Sequence, residues 1–286
     1  MFIINPISGV GRKNIIPQLV DEILDNRHFE WKFQYTQYRF HGREISEKQK
    51  SKFDAIVAVG GDGSVNEIGS ALIDSKCALG ILPCGSGNGA ARHLGIPLKL
   101  KQAIQQISAF KPQKIDTGIV NEHAFIGTCG FGFDAHIAHQ FDKFGKRGFL
   151  SYARLVLREL KTYKPPLFIA NNDSFSIKKE ALMCSIANSA QFGNGFEISP
   201  KSSMQDGRFE LVFLEKFPWY KSPELAIKFF KGKIDRSQHH TLINFDAPIH
   251  LKTENEENLL CHIDGEPITL REPAKIKIKP LSLSIL

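Results

Sequence analysis

The chain has 286 residues, which suits one large domain or two of modest size. An apolar share of 42% is ordinary for a globular protein, and a formal net charge of +7 favours anionic partners such as nucleotides, nucleic acid or a membrane surface. The five cysteines have no C-x-x-C spacing, so the pattern indicates reduced thiols and neither a zinc site nor a redox motif.

Membrane contact, if any, is expected to be peripheral. No apolar run approaches the roughly 18 residues of a membrane span. The chain starts with an apolar strand, Phe2–Ile4, and no charged leader, which favours a cytoplasmic protein without a signal peptide. A homodimer is an open alternative to a monomer, because no sequence feature decides between them.

Alternating strands and helices are predicted for the first part of the chain. After the strand Phe2–Ile4, a polar loop contains Asn5, Ser8 and Gly9, which are candidates for phosphate contact. The apolar spacing then predicts a helix, a strand and a charged helix over residues 15–24, 31–36 and 43–52. This alternation predicts an α/β domain with a parallel sheet.

A glycine loop follows the buried strand predicted over residues 53–59. It holds Gly60, Gly61, Asp62 and Gly63, and apolar residues at helical spacing begin a helix near Ser64. Such a loop presents backbone N–H groups and a positive helix end to a phosphate.

An aspartate inside this loop adds a second signal. Asp62 would repel a phosphate unless a cation lies between them, so the simplest interpretation is a nucleotide site with magnesium. The alternative is an ordinary strand-to-helix turn in which Ser64 and Glu67 form a capping box.

A second glycine loop comes about twenty residues later. A short buried strand over residues 79–82 leads into a loop with Gly85, Ser86, Gly87 and Asn88, and a helix follows. Two such units place their loops side by side at the carboxyl ends of parallel strands, where open α/β sheets bind ligands.

The second part of the chain is predicted to be rich in strands. After a helix over residues 100–110, a hairpin (115–120 with 124–129) and two helices (131–141 and 149–161), further strands are expected over residues 167–170, 181–187, 209–214, 241–245, 249–253, 259–263 and 275–278. We therefore predict two domains, an α/β nucleotide-binding domain over residues 1–118 and a β-rich, β-sandwich-like lipid-substrate domain over residues 119–278. Residues 279–286 are expected to return to the first domain.

Four motifs in order resemble the diacylglycerol kinase catalytic-domain family, which includes bacterial soluble lipid kinases, sphingosine kinases and ceramide kinases. They are the opening loop at residues 5–12, the two glycine loops at residues 60–67 and 83–88, and Ile263-Asp264-Gly265-Glu266-Pro267. The resemblance spans nearly the whole chain and implies an ATP- and magnesium-dependent lipid kinase. The nucleotide-binding residues it implies are Asn5, Ser8, Gly9, Thr36, Gly60, Gly61, Asp62, Gly63, Ser64, Asn66, Glu67, Gly85, Ser86, Gly87 and Asn88.

The same resemblance implies roles for six further residues. Asp116 would join Asp62 in the magnesium and water network, and a structural magnesium would be held by Asp206 with backbone carbonyls of Ser203 and Arg208. Glu266 would take the proton from the lipid hydroxyl. Asp264 is the alternative base, or a structural partner of the turn.

The acceptor lipid stays open at this point. Gly89 follows the second loop where bacterial diacylglycerol kinases usually carry an acidic residue, and the loop is closer to that of sphingosine and ceramide kinases. The alternatives to a lipid kinase are a phosphotransferase like the NAD kinases and a non-catalytic nucleotide- or lipid-binding regulator. No nucleic-acid module is recognised. The basic, aromatic residues 141–149, with Arg154, Arg158 and Lys161, could dock on anionic headgroups or form a solvated helix face.

Overall fold

The computed structural model describes residues 1–8, 15–144, 149–254, 258–271 and 273–286. Its first part alternates strands and helices as expected: β1 (Phe2–Ile4), α1 (Ile16–Ile23), β2 (Phe33–Tyr35), α2 (His41–Gln49), β3 (Ala55–Gly60), α3 (Asp62–Leu72), β4 (Ala78–Pro83), α4 (Gly89–His93) and α5 (Leu100–Ser108). The four strands are parallel in the order β2-β1-β3-β4. Strands β3 and β4 are buried almost throughout, as apolar strands covered on both faces require.

The second part is dominated by strands. Its elements are β5 (Gln113–Val120), β6 (His123–Phe125), β7 (Thr128–Gly132), α6 (Phe133–Phe144), α7 (Phe149–Glu159), β8 (Leu167–Asn171), β9 (Ser176–Glu180), β10 (Met183–Ala187), β11 (Gln191–Gly193), β12 (Phe196–Glu197), β13 (Phe209–Leu214), α8 (Ser222–Phe230), β14 (His240–Phe245), β15 (Ile249–Thr253), β16 (Asn258–Ile263), β17 (Glu266–Arg271) and β18 (Ala274–Ile285). The predicted fold class, a mainly parallel α/β domain followed by a β-rich domain, is confirmed.

Two sheets carry most of the described chain. One runs β2-β1-β3-β4-β18-β15-β8-β9, with β5 and β6 attached beside β18, and the other runs β14-β13-β10-β7-β16-β17 with antiparallel neighbours. Buried side chains from both sheets, among them Phe125, Phe168 and Phe213, form the core of the second part. The first sheet therefore continues from the α/β part into the β-rich part without a break.

Strand β18 provides that continuity. Its first half pairs with β15, β5 runs beside both halves, and its end pairs in parallel with β4 through Ile285 and Leu79. Leu281, with a φ of 47°, marks an irregularity in the middle of the strand. Sequence reasoning predicted only a strand over residues 275–278 and left the return of residues 279–286 without a partner.

The predicted hairpin, residues 115–120 with 124–129, is partly wrong. Residues 123–125 do pair with β5, but residues 128–132 cross to the other sheet and pair with β10 and β16. The backbone amides of Ile126, Gly127 and Thr128 donate to the carboxylate of Asp264, so the chain is diverted there. Helix α6 consequently starts at Phe133 instead of at residue 131.

The end of β18 should contribute strongly to stability. Leu283 is fully buried, whereas Leu281, two residues earlier, is 47% exposed. We expect Leu283→Ala to lower the free energy of unfolding by about 2–5 kcal/mol through lost burial and the cavity left behind. Leu281→Ala, the matched control, should change it by less than about 0.5 kcal/mol. Urea unfolding of both variants measures the difference, and equal effects would contradict this account.

Candidate active site

The two glycine loops lie against each other at the carboxyl ends of β3 and β4. The Cys84 amide donates to the Gly60 carbonyl at 2.8 Å, which keeps the chains paired up to the loops. A Cβ atom on Gly85 would lie 2.5 Å from the Cα of Gly61, a distance that only backbone movement could relieve. Glycine is therefore required where the two backbones meet.

Helix α3 begins at Asp62, and its Ncap residue, Gly61, makes no side-chain cap. The capping-box alternative is wrong. Ser64 lies inside the helix and accepts a hydrogen bond from Asn5 Nδ2, while Glu67 accepts one from the backbone amide of Phe40 at 3.1 Å. The first turn of an eleven-residue helix thus starts at the loop without a side-chain cap, the arrangement that suits an anion.

Asn88 shapes the second loop. It has a φ of 51°, and its side chain both accepts from the Gly85 amide and donates to the Gly85 carbonyl. The carbonyl of Gly87, in the same loop, accepts from the amide of Asn194 and from Arg92 Nε. The β11–β12 hairpin is therefore fastened to this loop.

Asp62 lies partly buried between the loops and a second carboxylate. Burial, and then the charge of Asp264, raise the pKa of Asp62 to about 6. Backbone amides of the second loop and α4, including that of Ala90, oppose the shift by hydrogen bonding. The site therefore brings two carboxylates, those of Asp62 and Asp264, close enough to repel each other.

Asp264 is bound through both carboxylate oxygens. Oδ1 accepts from the amides of Gly127 and Thr128, and Oδ2 accepts from the amide of Ile126 and from Asn66 Nδ2, at 2.7–2.9 Å. These four donors occupy the acceptor positions of the carboxylate. Its geometry is that of a structural partner of the turn, one of the two roles weighed for it from the sequence.

Glu266 starts β17 and lies beside the first glycine loop. A Cβ atom on Gly63 would lie 2.6 Å from Glu266 Oε1, so the carboxylate reaches the loop only because residue 63 is glycine. Its other oxygen, Oε2, pairs with Arg39 at 2.9 Å, and both side chains are about half exposed. Sequence reasoning missed Arg39, which lies in the segment between β2 and α2 and carried no motif.

The Asp264 turn rests on a buried pair that sequence reasoning also missed. His262 Nε2 lies 3.1 Å from Asp134 Oδ2 on α6, which also accepts from Ser185. His262 Nδ1 accepts from the amide of Gly265. His262 therefore joins α6 to the turn that carries Asp264 and Glu266.

A small cleft lies between these groups. Carboxylates line one side, and apolar and backbone groups line the rest: Asp62, Val65, Gly89, Ala90, Ile126, Gly127, Thr128, Ser189, Gln191, Phe192 and Asp264. The residues of the β11–β12 hairpin had no sequence signal, because they reach the cleft only through the fold.

The remaining predicted nucleotide residues lie in three places. Asn5 and Ser8 follow β1 beside the first loop, Ser86 lies within the second loop, and the Thr36 amide donates to Ile4 at the end of β2. Gly9 is outside the described residues. Their contacts to a nucleotide stay predictions.

The predicted metal residues fall into two groups. Asp116 does not face Asp62 in any described contact; its fully buried carboxylate accepts from the amides of Gly207 and Leu281. It thereby fixes the same turn, residues 203–208, that was predicted to hold a structural cation. There Asp206 is exposed and accepts from the Arg208 amide, while Ser203 Oγ accepts from the Gln205 amide.

Within the described ranges, no group of three or more His, Cys, Asp or Glu side chains is arranged to hold a metal ion. In the same ranges the helices are too short or too polar to span a bilayer. The basic surface predicted from residues 141–149 lies partly outside the description, and Arg158 is paired with Glu159.

Sequence families agree with this architecture. Residues 1–120 match the family described as the diacylglycerol kinase catalytic domain, and residues 127–286 match the YegS C-terminal NAD kinase beta sandwich-like domain. The chain belongs to the diacylglycerol kinase family of lipid kinases.

Individual relatives support the same assignment. The chain is 33% identical to the "Probable lipid kinase YegS-like" of Klebsiella pneumoniae (strain 342), over 79% of this chain and 76% of the relative. It is 29% identical to the diacylglycerol kinase of Bacillus subtilis (strain 168), over 75% and 72% of the two chains. A crystal structure of a diacylglycerol kinase from Bacillus anthracis str. Sterne has the same fold, with a TM-score of 0.74, 18% identity and coverage of 99% and 94%.

The charge of Asp62 should make stability depend on pH. Because its folded-state pKa is raised from 3.8 to about 6, ionised Asp62 opposes folding above pH 6, and this penalty fades as the pH falls towards 4. In metal-free protein, Asp62→Asn should raise the free energy of unfolding by roughly 2–3 kcal/mol at pH 7.5 and change it little at pH 4. Urea unfolding with a chelator at both pH values tests this. A destabilised variant at pH 7.5 would contradict it.

Proposed function

We propose that this protein is an ATP- and magnesium-dependent lipid kinase that transfers the γ-phosphoryl group of ATP to a hydroxyl of a membrane lipid. The observation that carries the proposal is the position of Glu266, whose carboxylate lies directly over Gly63 of the first glycine loop. A candidate base and a candidate phosphate site thus lie against each other. Membership of a lipid kinase family supports the same reaction.

The phosphates of ATP would bind at the paired glycine loops and the start of α3. The first turn of α3 has no side-chain cap, and the partial positive charge of this helix end favours an anion. Asn5 and Ser64, joined by a hydrogen bond, stand at the edge of this cradle. Arg39 adds a positive charge beside Glu266.

The residues present suit a divalent cation at Asp62. Its pKa is raised by burial and by Asp264, and a cation would offset both causes. Magnesium, when bound, would neutralise charge on the phosphate oxygens. Asp116 as a further member of this network, and a structural magnesium at Asp206 with the Ser203 and Arg208 carbonyls, remain part of the proposal.

Glu266 is proposed as the general base. It would accept the proton of the lipid hydroxyl as the bond between that oxygen and the γ-phosphorus forms, while the bond from phosphorus to the bridging oxygen breaks and ADP leaves. Asp264 acts as a positioning residue, because its oxygens already accept four hydrogen bonds. Arg39 would hold Oε2 and leave Oε1 towards the loop.

The acceptor is proposed to be a diacylglycerol-like or a sphingoid- or ceramide-like lipid. Val65, Ile126 and Phe192 give the cleft an apolar side on which an acyl chain could lie. At the position where diacylglycerol kinases usually carry an acid, Gly89 packs against the backbone of Gly193 and Gln191. Incubation with labelled ATP and total lipid extract, followed by identification of the labelled species, distinguishes the two acceptor classes.

Replacing the base should separate chemistry from binding. Glu266→Gln keeps the size of the side chain and removes its basicity, so lipid phosphorylation should fall by roughly two to four powers of ten. ATP affinity and melting temperature should stay close to those of the unchanged protein. Vesicle-based kinase assays and calorimetry measure the three quantities.

Asp264→Asn is the matched control for this prediction. Its amide would place N–H donors against backbone N–H donors, so it should lower the melting temperature as well as the activity. Normal turnover in Glu266→Gln, with turnover lost in a fully stable Asp264→Asn, would reverse the two roles.

The glycine contact gives a test of ATP binding. In Gly85→Ala the new methyl group would meet the Gly61 backbone at 2.5 Å and push the loops apart, so we expect at least tenfold weaker ATP binding. Gly95→Ala is the control for backbone strain: its φ of 68° makes an alanine unfavourable, but nothing lies within 4 Å of its Cβ position and it is outside the cleft, so it should lose stability and keep its ATP affinity. Calorimetry on folded variants decides, and unchanged affinity in Gly85→Ala would overturn the assignment of the phosphate site.

A further inference from the structure

Four large apolar side chains are exposed together near α8. They are Trp219 (66% exposed), Tyr220 (65%), Ile227 (56%) and Phe230 (50%), and we call them the aromatic stripe. Trp219 and Tyr220 belong to a short 3-10 turn, Trp219–Lys221, that leads directly into α8. The same helix buries Leu225 and Phe229 on its other side.

The spacing of the stripe follows from helix geometry. Ile227 and Phe230 are three residues apart in α8 and are therefore neighbours on one face of the helix, and Trp219 and Tyr220 lie in the turn that leads into it. A helix that is apolar on both sides buries only one of them against its own core. The exposed side is therefore available to another apolar phase.

Positive charge surrounds the stripe. Residues 216–233 contain five lysines and one glutamate, and that glutamate, Glu224, is paired with Lys228. Lys161, in the segment after helix α7, adds a further positive charge. Its Nζ lies 5.7 Å from the centre of the Trp219 ring. Long lysine side chains can cover apolar surface while their charged ends reach anionic groups beside it.

We propose that the aromatic stripe docks on an anionic lipid bilayer. Tryptophan and tyrosine favour the level of the headgroups, isoleucine and phenylalanine favour the acyl region, and the lysines match the negative surface. A second copy of the chain fits less well, because a symmetric pair would bring two lysine-rich rims together. This inference rests on the proposed lipid kinase function for the biological role of docking. Its physical basis is the surface itself.

A row of aromatic rings connects the stripe to the cleft. Phe230 contacts Phe196 edge-on with ring centres 5.6 Å apart, and Phe229 stacks on Phe196 at 4.0 Å. Phe196 in turn stacks with Phe192 at 6.4 Å, and Phe192 lines the cleft beside Asp62 and Asp264. Apolar side chains thus extend from the stripe to the cleft.

Fluorescence provides the first test, because the chain has two tryptophans. In a Trp31→Phe variant, Trp219 is the only one left. With vesicles of zwitterionic lipid containing 30% anionic phospholipid, and no ATP, its emission should shift to the blue and be quenched by brominated acyl chains. Vesicle binding without shift or quenching would overturn the proposal, as would a blue shift that depends on protein concentration without vesicles.

Surface variants provide the second test. The double variant Trp219→Ser/Ile227→Ser, and separately Lys231→Glu/Lys233→Glu, should each bind anionic vesicles at least tenfold more weakly in a sedimentation assay. Leu98→Ser and Lys111→Glu/Lys114→Glu, at exposed positions in the first part of the chain, are the matched controls and should bind as the unchanged protein does. Equal binding of all variants would overturn the proposal.

The two proposals can fail separately. Docking is measured without ATP, so an enzyme that phosphorylates no lipid could still dock. Conversely, lipid phosphorylation from vesicles that is undiminished in Trp219→Ser/Ile227→Ser would leave the kinase proposal intact and remove the docking surface. ATP affinity should be the same in every variant, which excludes an effect through the glycine loops.

Discussion

The carboxylate of Asp264 is the interaction on which the site depends. It ties three consecutive backbone amides, those of residues 126–128, and the Asn66 side chain of α3 to one turn. These bonds end the pairing of β6, send β7 into the other sheet and hold Glu266 against the first glycine loop. Bonds to a buried charge are stronger than those between neutral groups, which suits a junction between two sheets.

The same carboxylate creates a cost that the protein alone does not remove. Its charge adds to burial in raising the pKa of Asp62, so the cleft brings two acids close together. A neutral residue in place of Asp62 would relieve this repulsion, but it would also remove negative charge that attracts a cation. Local instability at a functional site is a common consequence of such charge placement.

One strand and one hairpin join the α/β part of the molecule to the β-rich part. Strand β18 pairs with β15 and β4, and the β11–β12 hairpin contacts both the second glycine loop and α8. Phe196 and Phe192 thus lie between the proposed docking surface and the cleft. These apolar side chains and the phosphate cradle meet at one wall of the cleft.

The sequence by itself determined the α/β start, the β-rich remainder and the two glycine loops, because apolar periods and glycine spacing are local signals. It also singled out Asp62, Asp264 and Glu266. Only the tertiary structure decided how the acids differ: four donors converge on Asp264, Asp62 is partly buried, and Glu266 pairs with Arg39. Each distinction depends on residues more than a hundred positions apart, or on burial, so no local pattern could encode it.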